Sequence, residues 1–209
     1  NQIHAAWSFA QAFGITEQDV GLNGLPMFHV GGTSTWGLSI LGAGGHVVVM
    51  TPVGYRDPAV VKNVWKIAAH FRATMIGSVP TTIGAMSEID ASGFDLSSLR
   101  MAQTGGATLP RAVADRFERR AGIPLLEQYG MTETAATIAN TSFFGRNMRG
   151  SVGLRCPYSE LRVVEEGARE PLVDCPPGSI GTVVCRGPQV VRGYLDPRQN
   201  RGAFTSDGW

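Results

Sequence analysis

Four short apolar runs, HVVVM at 46–50, TMIGS at 74–78, RMAQT at 100–104 and LLEQY at 125–129, alternate with segments whose apolar residues recur at helical spacing. Strands joined through helices run parallel, and strands buried on both faces read as near-continuous apolar runs. The alternation therefore predicts an α/β fold, a parallel sheet flanked by helices. Between the first two runs, Val60, Val64, Ile67, Ala68 and Phe71 share one helical face after Asp57 and Pro58, an acceptable helix start. Between the last two, Val113, Phe117 and Ala121 repeat the pattern, with Arg111, Asp115, Arg116, Glu118, Arg119 and Arg120 on the other faces. Gly122 and Pro124 end that helix.

After about residue 135 the texture changes to the short β-rich runs TIANTSF, ELRVVEE and GTVVCRG, separated by clusters such as DCPPGS. This predicts part of a small antiparallel, barrel-like subdomain. The expected organisation is an α/β subdomain over 1–135 and a β-rich one over 136–209, the second incomplete because SDGW reads as a turn. The opening NQIHAAWSFAQAF lacks an initiator Met and a basic flank, so it reads as a helix entered part-way along a longer chain and not as a signal peptide. A chain of 209 residues has room for one domain and part of another.

Composition removes several function classes. A net charge of +1, from 18 basic and 17 acidic residues without long runs, gives no footprint for nucleic acid. Cys156, Cys175 and Cys185 are too widely spaced for a redox pair or a zinc knuckle, which points to reduced thiols and a cytoplasmic location. The most apolar stretch, 38–50, is interrupted by glycines and is too short to cross a bilayer. There is no Walker phosphate loop, no GxSxG, no HExxH, and GAGGHV has valine where a dinucleotide fingerprint needs its third glycine.

In open parallel sheets, ligands bind beyond the carboxyl ends of the strands. TGGATLP follows the third run: Gly105 and Gly106 let a flat ligand lie against the backbone, and Thr108 with Pro110 can open the next helix. QYGMTET follows the fourth, where Tyr129 offers an aromatic face, Gly130 close approach, Thr132 a hydroxyl and Glu133 a carboxylate. Purine, phosphate and a divalent metal would each find a partner there, since Mg²⁺ uses only one or two protein carboxylates and takes its other ligands from water and phosphate. Each signal alone also has a plain structural reading: a Gly-Gly turn, a packed Tyr, a hydrogen-bonded His29 in LPMFHVGG.

Taken in order, LPMFHVGG, GGHVVV, VPTTIGAM, TGGATLP, EQYGMTET, GSVGLRCP, GTVVCRGPQVVRGY and SDGW resemble the acyl-adenylate-forming superfamily of acyl-CoA synthetases, aryl-CoA ligases, beetle luciferases and peptide-synthetase adenylation domains. The resemblance implies that Gly105, Gly106 and Ala107 pack against adenine and the acyl carbonyl, Tyr129 stacks on adenine, and Gly130, Met131 and Thr132 complete the nucleotide site, Thr132 on the α-phosphate. It implies Mg²⁺ on Glu133, His29 near the carboxylate being activated, and an acyl pocket shaped by His29, Val30, Gly31, Gln128, Gly130 and Gly153. Thr132, Glu133 and His29 would carry the catalysis. ATP and CoA would be co-substrates, in a reaction that forms acyl-AMP and then passes the acyl group to CoA.

The departures are a missing Ser/Thr/Gly-rich phosphate loop, a missing ribose-binding Asp after DGW, and no C-terminal domain with its catalytic Lys. Lys62 and Lys66, the only lysines, do not match it by position, and Thr182 replaces a usual Glu. The expected parent activates a plain carboxylic acid, fatty or aryl, because amino-acid activators carry Asp where this chain has His29. The expected partners of this piece are that acid, ATP, CoA and the remaining parts of the same enzyme. A non-catalytic nucleotide- or acyl-binding module derived from a ligase is the alternative.

Overall fold

The computed structural model describes residues 1–167 and 170–209. A seven-stranded sheet is built from β1 (Val20–Asn23), β2 (His46–Val49), β3 (Met75–Ser78), β4 (Met101–Gly105), β5 (Leu125–Tyr129), β6 (Ala139–Asn140) and β7 (Leu154–Arg155). Its order is β2-β1-β3-β4-β5-β6-β7, parallel through β5.

Adjacent strand residues point to opposite faces, and both faces are buried. Met75, Met101 and Leu126 pack on one side against Phe9 and Phe13 of α1 (Gln2–Phe13), Trp36 of a π-helix (Gly31–Leu38) and Ile40 of α2 (Ser39–Gly42). Their neighbours Ile76, Ala102 and Leu125 pack on the other against α3 (Pro58–Lys62), α4 (Val64–His70), α5 (Pro80–Ser87) and α6 (Arg111–Ala121), through Val64, Trp65, Ile83 and Phe117 among others.

Asp57 caps α3 by accepting from the Ala59 N–H, and Gly122 closes α6 in the left-handed region at φ 70°, as the sequence predicts. The single helix expected after Pro58 is instead two. Asn63 breaks it at φ −103°, ψ 12°, with its Nδ2 donating back to the Ala59 carbonyl at 2.8 Å, a local bond that competes with the helix. Nor does Thr108 open α6; Pro110 holds the cap position.

Two further features depart from expectation. Strand β1 was not foreseen, since Gly21 and Asn23 are weak strand formers. The sheet also runs past residue 135, the boundary expected from the change in texture: β6 and β7 add to it antiparallel, so TIANTSF and GLRCP belong to the large sheet. The small antiparallel part expected beside the large sheet is present as a two-stranded ribbon, β8 (Glu160–Val164) with β9 (Thr182–Arg186). On it, the Trp209 ring sits between the guanidinium groups of Arg162 and Arg186, 5.2 and 4.9 Å from its centroid.

At the amino edge of the sheet a clasp ties together the residues that lead into β1, β3 and β4. Asp19 Oδ1 accepts from Arg100 Nε at 2.8 Å and from the Thr74 hydroxyl at 2.6 Å. Its Oδ2 accepts from Arg100 at 3.0 Å and from the Thr16 N–H at 2.8 Å. The rest of the Arg100 fork donates to the Phe13 and Gly14 carbonyls. Among the described residues, no helix is long and apolar enough to cross a membrane.

Candidate functional site at the carboxyl edge

The order β2-β1-β3-β4-β5 reverses direction at β1, with the β1 to β2 connection on one face and the later helices on the other. That makes the gap between the carboxyl ends of β1 and β3 a topological switch point, where the loops diverge and leave a crevice. The loops carrying most of the predicted site residues leave from this edge, 24–31 from β1, Gly105 and beyond from β4, Tyr129 and beyond from β5, while Gly153 stands immediately before the start of β7.

The loop after β1 is shaped by Asn23, a buried side chain that sequence reasoning missed. Its Nδ2 donates to the Gly32 carbonyl at 3.0 Å, and its Oδ1 accepts from the Leu25 N–H at 3.1 Å. His29 at the tip is exposed. Its Nδ1 accepts from the Gly31 N–H at 3.0 Å, which assigns the proton of the neutral ring to Nε2 and leaves that edge pointing away from the backbone. Val30 and Gly31 open the π-helix.

At the end of β4, Gly105 lies so close to β5 that a Cβ would stand 2.7 Å from the Gln128 carbonyl oxygen. Gly106, at φ 82°, and Ala107 are exposed and lead toward α6. The loop after β5 folds back on itself. Gln128 accepts from Gln103 Nε2 at 2.9 Å and donates to the Ala136 carbonyl at 2.9 Å. Any Cβ on Gly130 would collide with that same carbonyl. Gly153, at φ 86°, precedes β7, where a Cβ would strike the Asn140 carbonyl. Gln128, Asn140 and Leu154 pair in turn across β5, β6 and β7, so Gly153 stands two strands from β5, level with Glu127 and on the far side of that row from the loop that begins at Gly130.

Thr132, Glu133 and Thr134 form one turn of 3-10 helix, held by the Thr134 hydroxyl, which bonds both the N–H and the carbonyl of Met131. Directly after it, Ala135 and Ala136 occupy positive φ, 53° and 112°. Such strain in residues with a Cβ costs about 1–3 kcal/mol each and persists only where the surroundings enforce it. Tyr129, Met131 and Thr132 are exposed on the outer side of the loop. Glu133 is tethered: its backbone carbonyl accepts from the Val191 N–H at 2.8 Å, and its Oε1 accepts from the Tyr194 hydroxyl at 2.6 Å. The hydrogen bond to the Glu133 carboxylate holds the Tyr194 phenol above its usual pKa.

A second missed set runs beneath the edge. Ser78, Thr104 and Glu127 are paired across β3, β4 and β5 on the face covered by α5 and α6. The Ser78 and Thr104 hydroxyls are buried without a partner among the described residues. Burial pushes the Glu127 carboxyl up, partly offset by Arg149 and the Gly150 N–H. The signal was present, because MIGS, MAQT and LLEQ each end in polar residues after an apolar start.

The donor set bears on the metal. Among the described residues no group of three His, Cys, Asp or Glu side chains could hold an ion by itself. Glu133 presents one carboxylate whose Oε2 has no partner there. One protein carboxylate fits Mg²⁺, which keeps water and phosphate oxygens as its other ligands. An open cleft of about 350 Å³ lies at the opposite edge between 90–96 and Arg116, Arg119 and Arg120 of α6. Glu88 and Asp90 pair with Arg116 and Arg120 there, and it has no part in the site.

Comparison with known proteins gives the same assignment from the outside. The family described as AMP-binding enzyme matches residues 1–195. The indoleacetate–CoA ligase of Aromatoleum aromaticum is 32% identical over 209 residues, 98% of this chain and 39% of that protein. The long-chain-fatty-acid–CoA ligase of Bacillus subtilis is 30% identical over 207 residues, 98% of this chain and 35% of that protein. ATP-bound MatB from Rhodopseudomonas palustris superposes with a TM-score of 0.83 at 25% identity, over 99% of this chain and 40% of MatB. The O-succinylbenzoate coenzyme A synthetase MenE of Bacillus subtilis, in complex with ATP and magnesium ion, does so at 0.78 and 29%, over all of this chain and 41% of MenE. The chain thus spans well under half the length of these relatives. With the fold, the ordered motifs and the family match in agreement, the chain belongs to the AMP-binding enzymes, within the acyl-adenylate-forming superfamily.

Proposed function

We propose that this chain is the central part of an ATP-dependent, AMP-forming carboxylate–CoA ligase, and that the carboxyl edge of its sheet is where the acid is activated. The observation that carries the reading is the convergence on one edge of two loops with complementary chemistry: a glycine wall at 105–106 after β4, and after β5 an exposed aromatic and hydroxyl at 129–132 followed by a tethered carboxylate at 133. The relatives named above, ligases of indoleacetate and of long-chain fatty acids, support a plain carboxylic acid of fatty or aryl type. The three unpaired cysteines agree with a reducing, cytoplasmic setting.

In this reading Gly105, Gly106 and Ala107 form one wall of the adenine site and Tyr129 the other, with Gly130 and Met131 between them and the Thr132 hydroxyl on the α-phosphate. Glu133 Oε2 would hold Mg²⁺, which offsets the charge that builds on the phosphate oxygens. His29, with its proton on Nε2, orients the carboxylate of the acid, while Val30, Gly31, Gln128 and Gly153 bound the acyl group. The carboxylate oxygen attacks the α-phosphorus to give acyl-AMP and pyrophosphate, and the CoA thiolate then displaces AMP.

The test is Glu133→Gln in the full-length enzyme. It keeps size and removes charge, so the adenylation half-reaction is expected to fall by about 100-fold, comparable to losing one preorganised transition-state contact. The thioester half-reaction, started from synthetic acyl-AMP, should change far less, because pyrophosphate and its metal have left. Equal losses in both halves would make Glu133 a structural residue. The 209 residues alone are expected to release no pyrophosphate from ATP with a panel of fatty and aryl acids. Micromolar ATP binding by that chain without turnover would favour a non-catalytic binding module.

A further inference from the structure

We propose that Tyr194 is the positioning residue for the Glu133 carboxylate, its hydroxyl holding Oε1 so that Oε2 is the oxygen offered to a divalent cation carried by a nucleoside triphosphate. The inference rests on the reading of Glu133 as the metal carboxylate and adds the group that aims it.

The Glu133 side chain leaves a single 3-10 turn on an edge loop, and within that turn nothing bonds to its carboxylate. Its one side-chain partner among the described residues comes from 61 residues further along the chain, the Tyr194 hydroxyl at 2.6 Å. The same segment grips the Glu133 backbone, through the Val191 N–H to its carbonyl at 2.8 Å. Main chain and side chain of one residue are therefore both held from the far side of the site.

Tyr194 is itself fixed. Its N–H donates to Asn200 Oδ1 at 2.7 Å, and Phe204 packs edge-on against its ring, centroids 6.0 Å apart. Gly193 lets the chain pass close to the Asn200 carboxamide, 3.1 Å from where a Cβ would stand. A phenol mounted this way fixes the rotamer of its acceptor before any cation arrives.

The physical effect follows from what an unheld glutamate does. Its side chain samples many rotamers, and ordering it on binding costs conformational entropy. A donor on one oxygen removes that cost and leaves the lone pairs of the other free, which is how outer-shell partners tune metal ligands, typically by 10–100-fold in affinity. A packing role for Tyr194 would be served equally well by phenylalanine.

The experiment uses the full-length enzyme with ATP and no acid, so that nothing turns over, and follows Mn²⁺ binding by electron paramagnetic resonance. Tyr194→Phe is expected to weaken Mn²⁺ binding to the ATP complex about 10-fold, and Glu133→Gln at least as much. Excess Mg²⁺ should restore adenylation in Tyr194→Phe and not in Glu133→Gln. The thioester half-reaction of Tyr194→Phe, from synthetic acyl-AMP, should stay within about twofold of wild type.

Wild-type Mn²⁺ affinity in Tyr194→Phe, with Glu133→Gln weakened, overturns the positioning role and leaves the metal reading standing. Wild-type affinity in both overturns the metal reading and the inference with it. Asn200→Ala loosens Tyr194 without touching Glu133 and should show the same loss in smaller measure. Unchanged affinity there, should Tyr194→Phe fail to fold, also overturns the proposal.

Discussion

The two edges of one sheet hold their polar groups in opposite ways. At the amino edge, Asp19 is 4% exposed and both its oxygens are fully engaged, while Arg100 spends its whole fork on Asp19 and two carbonyls. At the carboxyl edge, Glu133 has one engaged oxygen, and His29 Nε2 and the Thr132 hydroxyl have no partner among the described residues. Charge consumed internally makes architecture. Polar groups with bonding capacity left over, mounted on a rigid frame, make a place for a ligand.

Three changes would break or sharpen that contrast. The largest effect is expected from Arg100→Met, which strands a buried carboxylate and should cost about 3 kcal/mol. Differential scanning calorimetry on the full-length protein should register a fall in Tm of roughly 6–12 °C for its domain. Half-reaction rates per folded molecule should be unaltered. Lost activity at full stability would mean the two edges are not separable.

Tyr129→Ala is the converse. At 36% exposure the side chain lies outside the two buried clusters but is not free of contact, so stability should drop by about 1–2 kcal/mol, less than for Arg100→Met, while ATP binding weakens about tenfold through lost stacking. Tyr129→Phe should retain wild-type affinity by calorimetry. A tenfold loss in the Phe variant would point to the hydroxyl instead of the ring.

The smallest effect concerns pH. Burial alone would push the Asp19 carboxyl up, but hydrogen bonds from Arg100, Thr74 and the Thr16 N–H together hold it below its usual value. A depressed folded pKa stabilises above the unfolded value of about 3.9 and is lost as pH falls through it toward the folded one. Urea midpoints should therefore fall more steeply below about pH 4 in wild type than in Arg100→Met, where burial is opposed only by the Thr74 hydroxyl and the Thr16 N–H. Parallel curves would remove Asp19 from the acid limb.

Much of this was legible in the residues. The parallel strands β2 to β5 announce themselves because burial on both faces demands continuous apolar runs, and the glycine and YGMTE loops lie where strand direction puts them. Strand β1 was hidden because VGLN is composed for its surroundings: a Cβ on Gly21 would have to share space with Ile40, and Asn23 serves the loop beyond. The pairing of β6 and β7 with β5 was not legible because strands of two residues carry no period, and their place in the sheet is decided by tertiary contact alone. Tyr194 could not be joined to Glu133 from sequence, since nothing local records a bond across 61 residues.

The clasp at the amino edge also has a kinetic meaning. Asp19 meets Thr74 and Arg100 across separations of 55 and 81 residues. Closing loops of that length is paid for in chain entropy before any contact returns it, so the clasp can form only once β1, β3 and β4 are nearly in place. It therefore acts late in folding and first in resisting disassembly, slowing escape from the native state without hastening arrival.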